Sequence, residues 1–178
     1  MSVDFCSGLV FTEMIDLQQF DNRAGAIFSP DRKYRYRLWR MWDADKPVLA
    51  FIMLNPSKAD SQILDATVRR CIDYARRWGF GALEVGNIFA LKSTDPALLY
   101  SVKDPIGPEN DQAILDVYQK ADLTIAAWGS HGAHLNRGKE VLGLIPEAKC
   151  LVQTRDGQPG HPLYLKSDLK PVQMKPAS

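Results

Sequence analysis

The sequence predicts an α/β fold: a three-layer α/β/α sandwich with a central, mostly parallel sheet and an N-terminal antiparallel meander. Three observations carry that expectation. A continuous apolar run, Val48 to Leu54, stops at Asn55-Pro56-Ser57, as a strand buried on both faces does. An amphipathic helix and then a second apolar strand follow, which reads as a right-handed parallel crossover. Ahead of them, Tyr34 to Trp42 alternates as a strand does and turns back into the apolar run through Asp43–Pro47.

Taken in order, Met1 to Gly25 shows little period, apart from Asp16–Asp21, expected as a short helix. Pro30-Asp31 centres a turn. In the strand that follows, Tyr34, Tyr36 and Leu38 are expected on one face, and Arg35, Arg37 and Trp39 on the other. Arginines so mixed with aromatics suit a nucleic-acid surface or a solvated edge strand, and the edge strand is favoured. Val48–Leu54 is the central strand, and Pro56, having no N–H, ends it. Asn55, Ser57, Lys58 and Asp60 therefore fall at the carboxyl end of a central strand, where open α/β sheets bind ligands.

The clearest helix runs from Asp65, as N-cap, to Gly79, as stop, with Val68, Cys71, Ile72, Ala75 and Trp78 as its buried stripe. Arg76 and Arg77 suit the negative end of its dipole. Arg69 and Arg70 sit in the first turns, where the dipole does not favour cations, and this marks them for an anionic ligand. Ala82–Phe89 is the next strand, with Asn87 near its end, where a buried amide must find partners in the backbone or in a ligand. Gln112–Lys120 is a helix and Leu123–Trp128 a strand that ends in Gly129-Ser130-His131-Gly132. The glycines permit close backbone approach, yet no Lys-Ser/Thr follows at phosphate-loop spacing. Leu135–Leu144 is a helix and Ala148–Gln153 the last strand. A Gly/Pro-rich loop from Thr154 to Leu165 then carries His161 exposed at its tip, and the tail that follows, ending Lys175-Pro176-Ala177-Ser178, is expected to fray.

The 178 residues suit a single domain, with a core over about residues 26–166. A formal net charge of +1 argues against a strongly basic coat protein for nucleic acid, though not against a local basic cleft. Cys6, Cys71 and Cys150 are widely spaced, so neither a disulfide framework nor a structural zinc site is indicated. His131 and His134 lack the intervening Glu of a zincin helix, and no metal or cofactor is expected. The first residues have no signal-peptide pattern, which makes a cytoplasmic protein without a membrane partner the expectation.

Asn55 with Ser57, Asn87, Trp128 to His131, and His161 converge on one sheet edge if these strands are parallel. Two amides, an aromatic and a histidine suit recognition of a planar, hydrogen-bonding ligand such as a base.

Met53–Asp60, Ala66–Arg70, Asn87–Leu91, Ala126–Gly129 and His161–Leu165 resemble the signature of the bacterial domain-of-unknown-function family 1643, over roughly Phe28 to Leu165. The order of these motifs is also similar, more distantly, to the uracil-DNA glycosylase superfamily. That resemblance implies its α/β/α fold and a DNA glycosylase-like hydrolase that flips a damaged or modified base and cleaves its N-glycosidic bond. It implies Asn55 and His161 as catalytic residues, Asn55 orienting the water and His161 donating a hydrogen bond to the leaving base. Asn87 reads the base, with Phe89 or Trp128 stacking on it. Pro56, Ser57, Asp60 and Asp65 support the water loop. Lys58, Arg69, Arg70, Ser130, His131 and a wedge from Leu163 or Tyr164 contact single- or double-stranded DNA. Some relatives excise modified bases from phage DNA, which extends the expectation to antiviral defence. Leu54 departs from the glycine usual in the first motif, and Tyr164 interrupts the small residues of the histidine loop. Asn55 is an amide and no general base, which leaves Asp60 or Asp65 to supply a carboxylate, although capping alone accounts for Asp65. Two other functions stay open: hydrolysis or transfer on free nucleosides or nucleotides, and non-catalytic nucleic-acid binding.

Overall fold

The computed structural model describes residues 11–15, 23–57 and 65–175. Eight strands form one sheet: β1 (Phe11–Ile15), β2 (Ala24–Phe28), β3 (Arg35–Met41), β4 (Val48–Met53), β5 (Ala82–Asn87), β6 (Leu123–Ala126), β7 (Lys149–Cys150) and β8 (Val172–Gln173). Their order is β1-β2-β3-β5-β4-β6-β7-β8. The helices are α1 (Ala66–Arg77), α2 (Leu98–Ser101), α3 (Asn110–Lys120) and α4 (Arg137–Leu144).

The apolar run makes β4 the centre of the molecule. It lies parallel to β5 on one side and β6 on the other, with Met53 opposite Asn87 and Ile52 opposite Ala126. Leu49, Phe51 and Met53 pack into the layer beneath α1, and Ala50, Ile52 and Leu54 into the layer beneath α3 and α4. A strand with no polar face has to be covered on both sides, and each fully buried Leu, Ile or Phe contributes about 1.5–3 kcal/mol. The chain leaves β4 through α1 to reach β5, then passes over the opposite face through α3 to reach β6. Strand order thus reverses at β4, and the carboxyl ends of β4, β5 and β6 flank the crevice this reversal makes.

α1 starts where the sequence places it. The Asp65 carboxylate accepts the Val68 N–H at 2.7 Å as N-cap, and Gly79 takes φ +84° just past the C-cap, Trp78. Arg70, Tyr74 and Arg77 donate from one stripe of α1 to the carbonyls of Leu165, Lys166 and Ser167. These contacts draw the segment after His161 along the helix.

The sheet has the expected parallel centre and antiparallel N-terminal meander: β4–β5, β4–β6 and β6–β7 are parallel, and β1–β2, β2–β3, β3–β5 and β7–β8 are antiparallel. The structure departs from the expectations in three places. β3 is not an edge strand, because β2 and β5 pair with its two sides. A bulge between the β2 positions Ile27 and Phe28, which face Arg37 and Arg35, breaks the expected alternation of β3. Tyr36 therefore joins the core beneath α3, while Arg35 shares a face with Phe28 beneath α1 and is 5% exposed. Finally, the last parallel strand shrinks to Lys149–Cys150, and the region read as a tail adds β8 and a hydrogen bond from Lys175 N–H to Gln153 Oε1. The helix expected at 16–21 lies outside the described residues, as do Lys58 and Asp60.

Candidate functional site

The face of the sheet beneath α1 ends in a row of side chains at the carboxyl ends of the parallel strands and the amino end of the antiparallel β3. Past Val85 on β5 comes Asn87, opposite Met53 of β4. Past Leu38 on β3, whose partner is Val85, the bulge delivers Arg35 to the same face. Asp65 caps α1 above this row, with one oxygen on Val68 N–H and the other on Ser57 Oγ–H at 2.9 Å. His161 arrives from the loop after β7. The end of β6 holds that loop directly, because Gly129 N–H donates to Pro159 O at 2.7 Å. Gly129 has φ +73°, and a side chain on it would sit 3.7 Å from the Cβ of His161.

The polar groups of this row are unusually free of protein partners. The main chain around Asn87 is fixed: Asn110 Nδ2–H donates to the carbonyls of Asn87 and Ile88 at 2.9 and 3.1 Å, and Arg137 Nε–H adds a third bond to Ile88 O. The side-chain amide of Asn87, on a residue 2% exposed, has no hydrogen-bond partner among the described residues. Arg35 is similar. Its Nε is enclosed without an acceptor, and its guanidinium makes no ion pair among the described residues. Burial pushes its pKa down to about 10, against the attraction of Asp65 and in concert with the repulsion of Arg40, so it stays charged at neutral pH. Native proteins pair most buried polar groups, and among the described residues this face carries two side chains without a protein partner, those of Asn87 and Arg35.

His161 supplies a donor. Its Nδ1 accepts the Leu163 N–H at 3.4 Å, which places the proton of the neutral ring on Nε2. Burial lowers its pKa, with Asp65 pulling the other way, so the ring is neutral near pH 7. The Asp65 carboxylate acts on Arg35, Arg40 and His161 alike, which makes it the electrostatic hub of the row.

Residues 35–163 match the family described as "Protein of unknown function (DUF1643)". That is well over half of the chain. The chain belongs to the DUF1643 family. No curated protein and no solved structure matches it. The DUF1643 segment opens on Arg35 and closes just beyond His161, so every residue of the row lies inside it.

The other residues singled out from the sequence are distributed around this row. Asn55 turns its Nδ2 to the carbonyls of Pro56, Leu91 and Ser93, at 3.2, 3.4 and 2.9 Å, which pins the turn after β4 and leaves Oδ1 as its available acceptor. Pro56 is buried, and its carbonyl also receives Ser93 N–H. Phe89 and Trp128 are not brought into the row. Both pack in the layer beneath α3 and α4, Phe89 beside the His134 ring at 5.7 Å and Trp128 with Nε1–H on Gln158 Oε1 at 2.9 Å. The glycine after His131 serves that indole: a Cβ on Gly132 would come 2.0 Å from Trp128 Cδ1.

Arg70 holds Leu165 O at 3.2 Å, while Arg69 is exposed on α1. Ser130 and His131 are exposed, with Ser130 Oγ toward Asp156 and His131 Nδ1 bonded to Tyr100 Oη at 2.9 Å. Leu163 is half-buried, whereas Tyr164 is 82% exposed, its ring 5.5 Å from that of His161. Among the described residues, no group of three or more His, Cys, Asp or Glu is placed to hold a metal ion. No helix there is long and apolar enough to cross a membrane. Arg35 was the residue that sequence reasoning missed, because the bulge that turns it inward leaves no mark on the alternation.

Proposed function

We propose that this protein is a DNA glycosylase-like hydrolase that excises a flipped, damaged or modified base. The buried amide of Asn87, without a partner among the described residues, is the observation that carries this reading: it offers a donor and an acceptor to a base edge, at the sheet edge to which the loop of His161 and the cap Asp65 also belong. The reversal of strand order at β4, which opens a crevice at the carboxyl ends, agrees with a uracil-DNA-glycosylase-like arrangement.

In the reaction, water oxygen bonds to the sugar C1′ while the C1′–N bond breaks and its electron pair leaves with the base. His161 Nε2–H donates to the base as charge grows on it. The water is oriented by Asn55 Oδ1, and its proton passes to Asp65, because an amide cannot accept it. An oxocarbenium-like transition state needs little push from the nucleophile, so stabilising the leaving base is the larger task. Tyr164, exposed beside His161, is the aromatic placed to fill the gap left by a flipped nucleotide. Arg69, Ser130 and His131 are exposed and suited to phosphate contacts. Excision of modified bases from phage DNA is the biological role that fits best.

The test is abasic-site formation on duplex and single-stranded DNA carrying uracil, other deaminated bases and modified cytosines. Wild type is compared with Asn87→Ala and His161→Ala. Loss of one donor to the departing base costs about 2.7–4 kcal/mol, so His161→Ala is expected to slow excision about 10²–10³-fold. Retention of DNA without any excision would replace this reading by non-catalytic binding. If neither is seen, turnover of free nucleosides and nucleotides becomes the assay.

A further inference from the structure

We propose that Arg35 is the floor of an oxyanion site, which receives one compact phosphate or carboxylate group from the ligand whose edge Asn87 reads. The inference rests on the reading above only for the nature of the rest of that ligand.

The argument starts from an uncompensated charge. A guanidinium presents five N–H donors, loses much hydration on burial, and normally recovers it from carboxylates or carbonyls. Arg35 is 5% exposed, and among the described residues its side chain recovers none; its backbone N–H donates to Ala90 O at 2.9 Å. Arg40, the other buried arginine on this face, contrasts with it, since its Nη1–H donates to Gly25 O and Trp39 O at 3.3 and 2.7 Å. Arg137 and Arg37 contrast too, being paired with Asp111 and Glu140 and with Glu84 respectively. Asp65 is the carboxylate whose field reaches Arg35, yet its two oxygens are taken by Val68 N–H and Ser57 Oγ–H and it forms no contact pair.

Geometry gives the charge a direction. The β3 bulge turns Arg35 toward the α1 face, into the row that also contains Asn87. One strand over, therefore, an unpartnered amide accompanies an unpartnered cation. Such a pair matches a ligand with a planar polar edge and a single negative group, because a guanidinium fork receives an oxyanion through two parallel N–H···O bonds. Two sources share that chemistry: the phosphoryl group of a nucleotide, and an acidic substituent on a modified base.

The experiment uses the full chain, with melting temperature and calorimetric titration against inorganic phosphate, acetate and chloride. Wild type is compared with Arg35→Met, Arg35→Lys and the exposed Arg76→Gln. Phosphate or acetate is expected to raise the melting temperature of wild type and Arg76→Gln at millimolar concentration, to act more weakly on Arg35→Lys, and to lose this effect in Arg35→Met. In anion-free buffer Arg35→Met is expected to melt at or above wild type, since it removes a buried charge that has no partner. Equal anion-induced shifts in wild type and Arg35→Met would overturn the proposal, whatever the baseline.

The source is then decided by two comparisons. A nucleoside 5′-monophosphate binding at least tenfold tighter than its nucleoside assigns the site to phosphate. A carboxylated base binding tighter than its uncharged parent assigns it to the base. Neither preference, in either comparison, also overturns the proposal. Base excision without an Arg35-dependent anion effect removes this inference and leaves the glycosylase reading intact. An Arg35-dependent effect without excision does the reverse.

Discussion

Replacing Asp65 by Asn separates two jobs that one side chain performs. Asn caps helices as well as Asp, so α1 keeps its N-terminal hydrogen bond, but the counter-charge acting on Arg35, Arg40 and His161 disappears. Two unit charges about 4 Å apart attract by about 4 kcal/mol at an effective dielectric of about 20. Asp65 and Arg35 make no contact pair, so the distance is greater, and a separation near 8 Å gives about 2 kcal/mol. Asp65→Asn is therefore expected to destabilise the fold by about 1–2 kcal/mol in urea unfolding at pH 7. In an Arg35→Met background the loss should shrink by about 1 kcal/mol, leaving the smaller share that Arg40 feels. For a domain of this size each kcal/mol corresponds to roughly 2–4 °C in melting temperature, so the coupling is also readable by heat. If the two substitutions add to within about 0.3 kcal/mol, Asp65 is only a cap and the electrostatic account of the row is wrong.

Four further outcomes are expected. Asn110→Leu leaves the buried carbonyl of Asn87 without its donor and should cost about 1–3 kcal/mol, measured by chemical denaturation, with weaker ligand binding because Asn87 is no longer held. Gly132→Ala drives a methyl to 2.0 Å from Trp128 Cδ1, so a loss of at least about 1–3 kcal/mol and a changed tryptophan emission spectrum should follow. His161 binds its proton less readily folded than unfolded. Its contribution to stability should be complete above the ordinary imidazole value of about 6.5 and fall as pH drops through the window below it, and His161→Gln should flatten that slope in melting curves recorded against pH. Tyr74→Phe removes the donor to Lys166 O, at a cost of about 0.5–1.5 kcal/mol, and amide exchange in the segment after His161 should quicken while that of β4 stays unchanged.

The parts of this molecule legible in the sequence are those set by local chemistry. Asp65 and Gly79 bound α1 because capping and a left-handed stop act over a few residues, and Val48–Met53 is central because an unrelieved apolar strand has nowhere else to go. Placing Asn55, Asn87 and His161 near one sheet edge followed from reading β4, β5 and β6 as parallel, which they are. What escaped was set by partners distant in the chain. β3 carries three arginines, Arg35, Arg37 and Arg40, beside Trp39, and that pattern looks solvated until β2 and β5 pair with both its sides. Likewise Phe89 and Trp128 each lie two residues past a strand that ends at the crevice, close enough in sequence to stack on a ligand. The pleat carries Trp128 with Ala126 to the opposite layer, beside Gln158, and alternation ends after Asn87, so that Ile88 and Phe89 both join that layer, Phe89 beside His134.

The grip of α1 on the chain after His161 has an evolutionary consequence. Arg70, Tyr74 and Arg77, spaced four and three residues apart, all take hold of consecutive main-chain oxygens, those of Leu165, Lys166 and Ser167. Every amino acid offers that same oxygen. The path of the segment is therefore written on the helix rather than on the segment itself, and Lys166 and Ser167 are free to drift in identity without moving the loop. Selection on the loop's position falls on residues nearly a hundred places upstream, where a single change at Tyr74 is felt beyond His161.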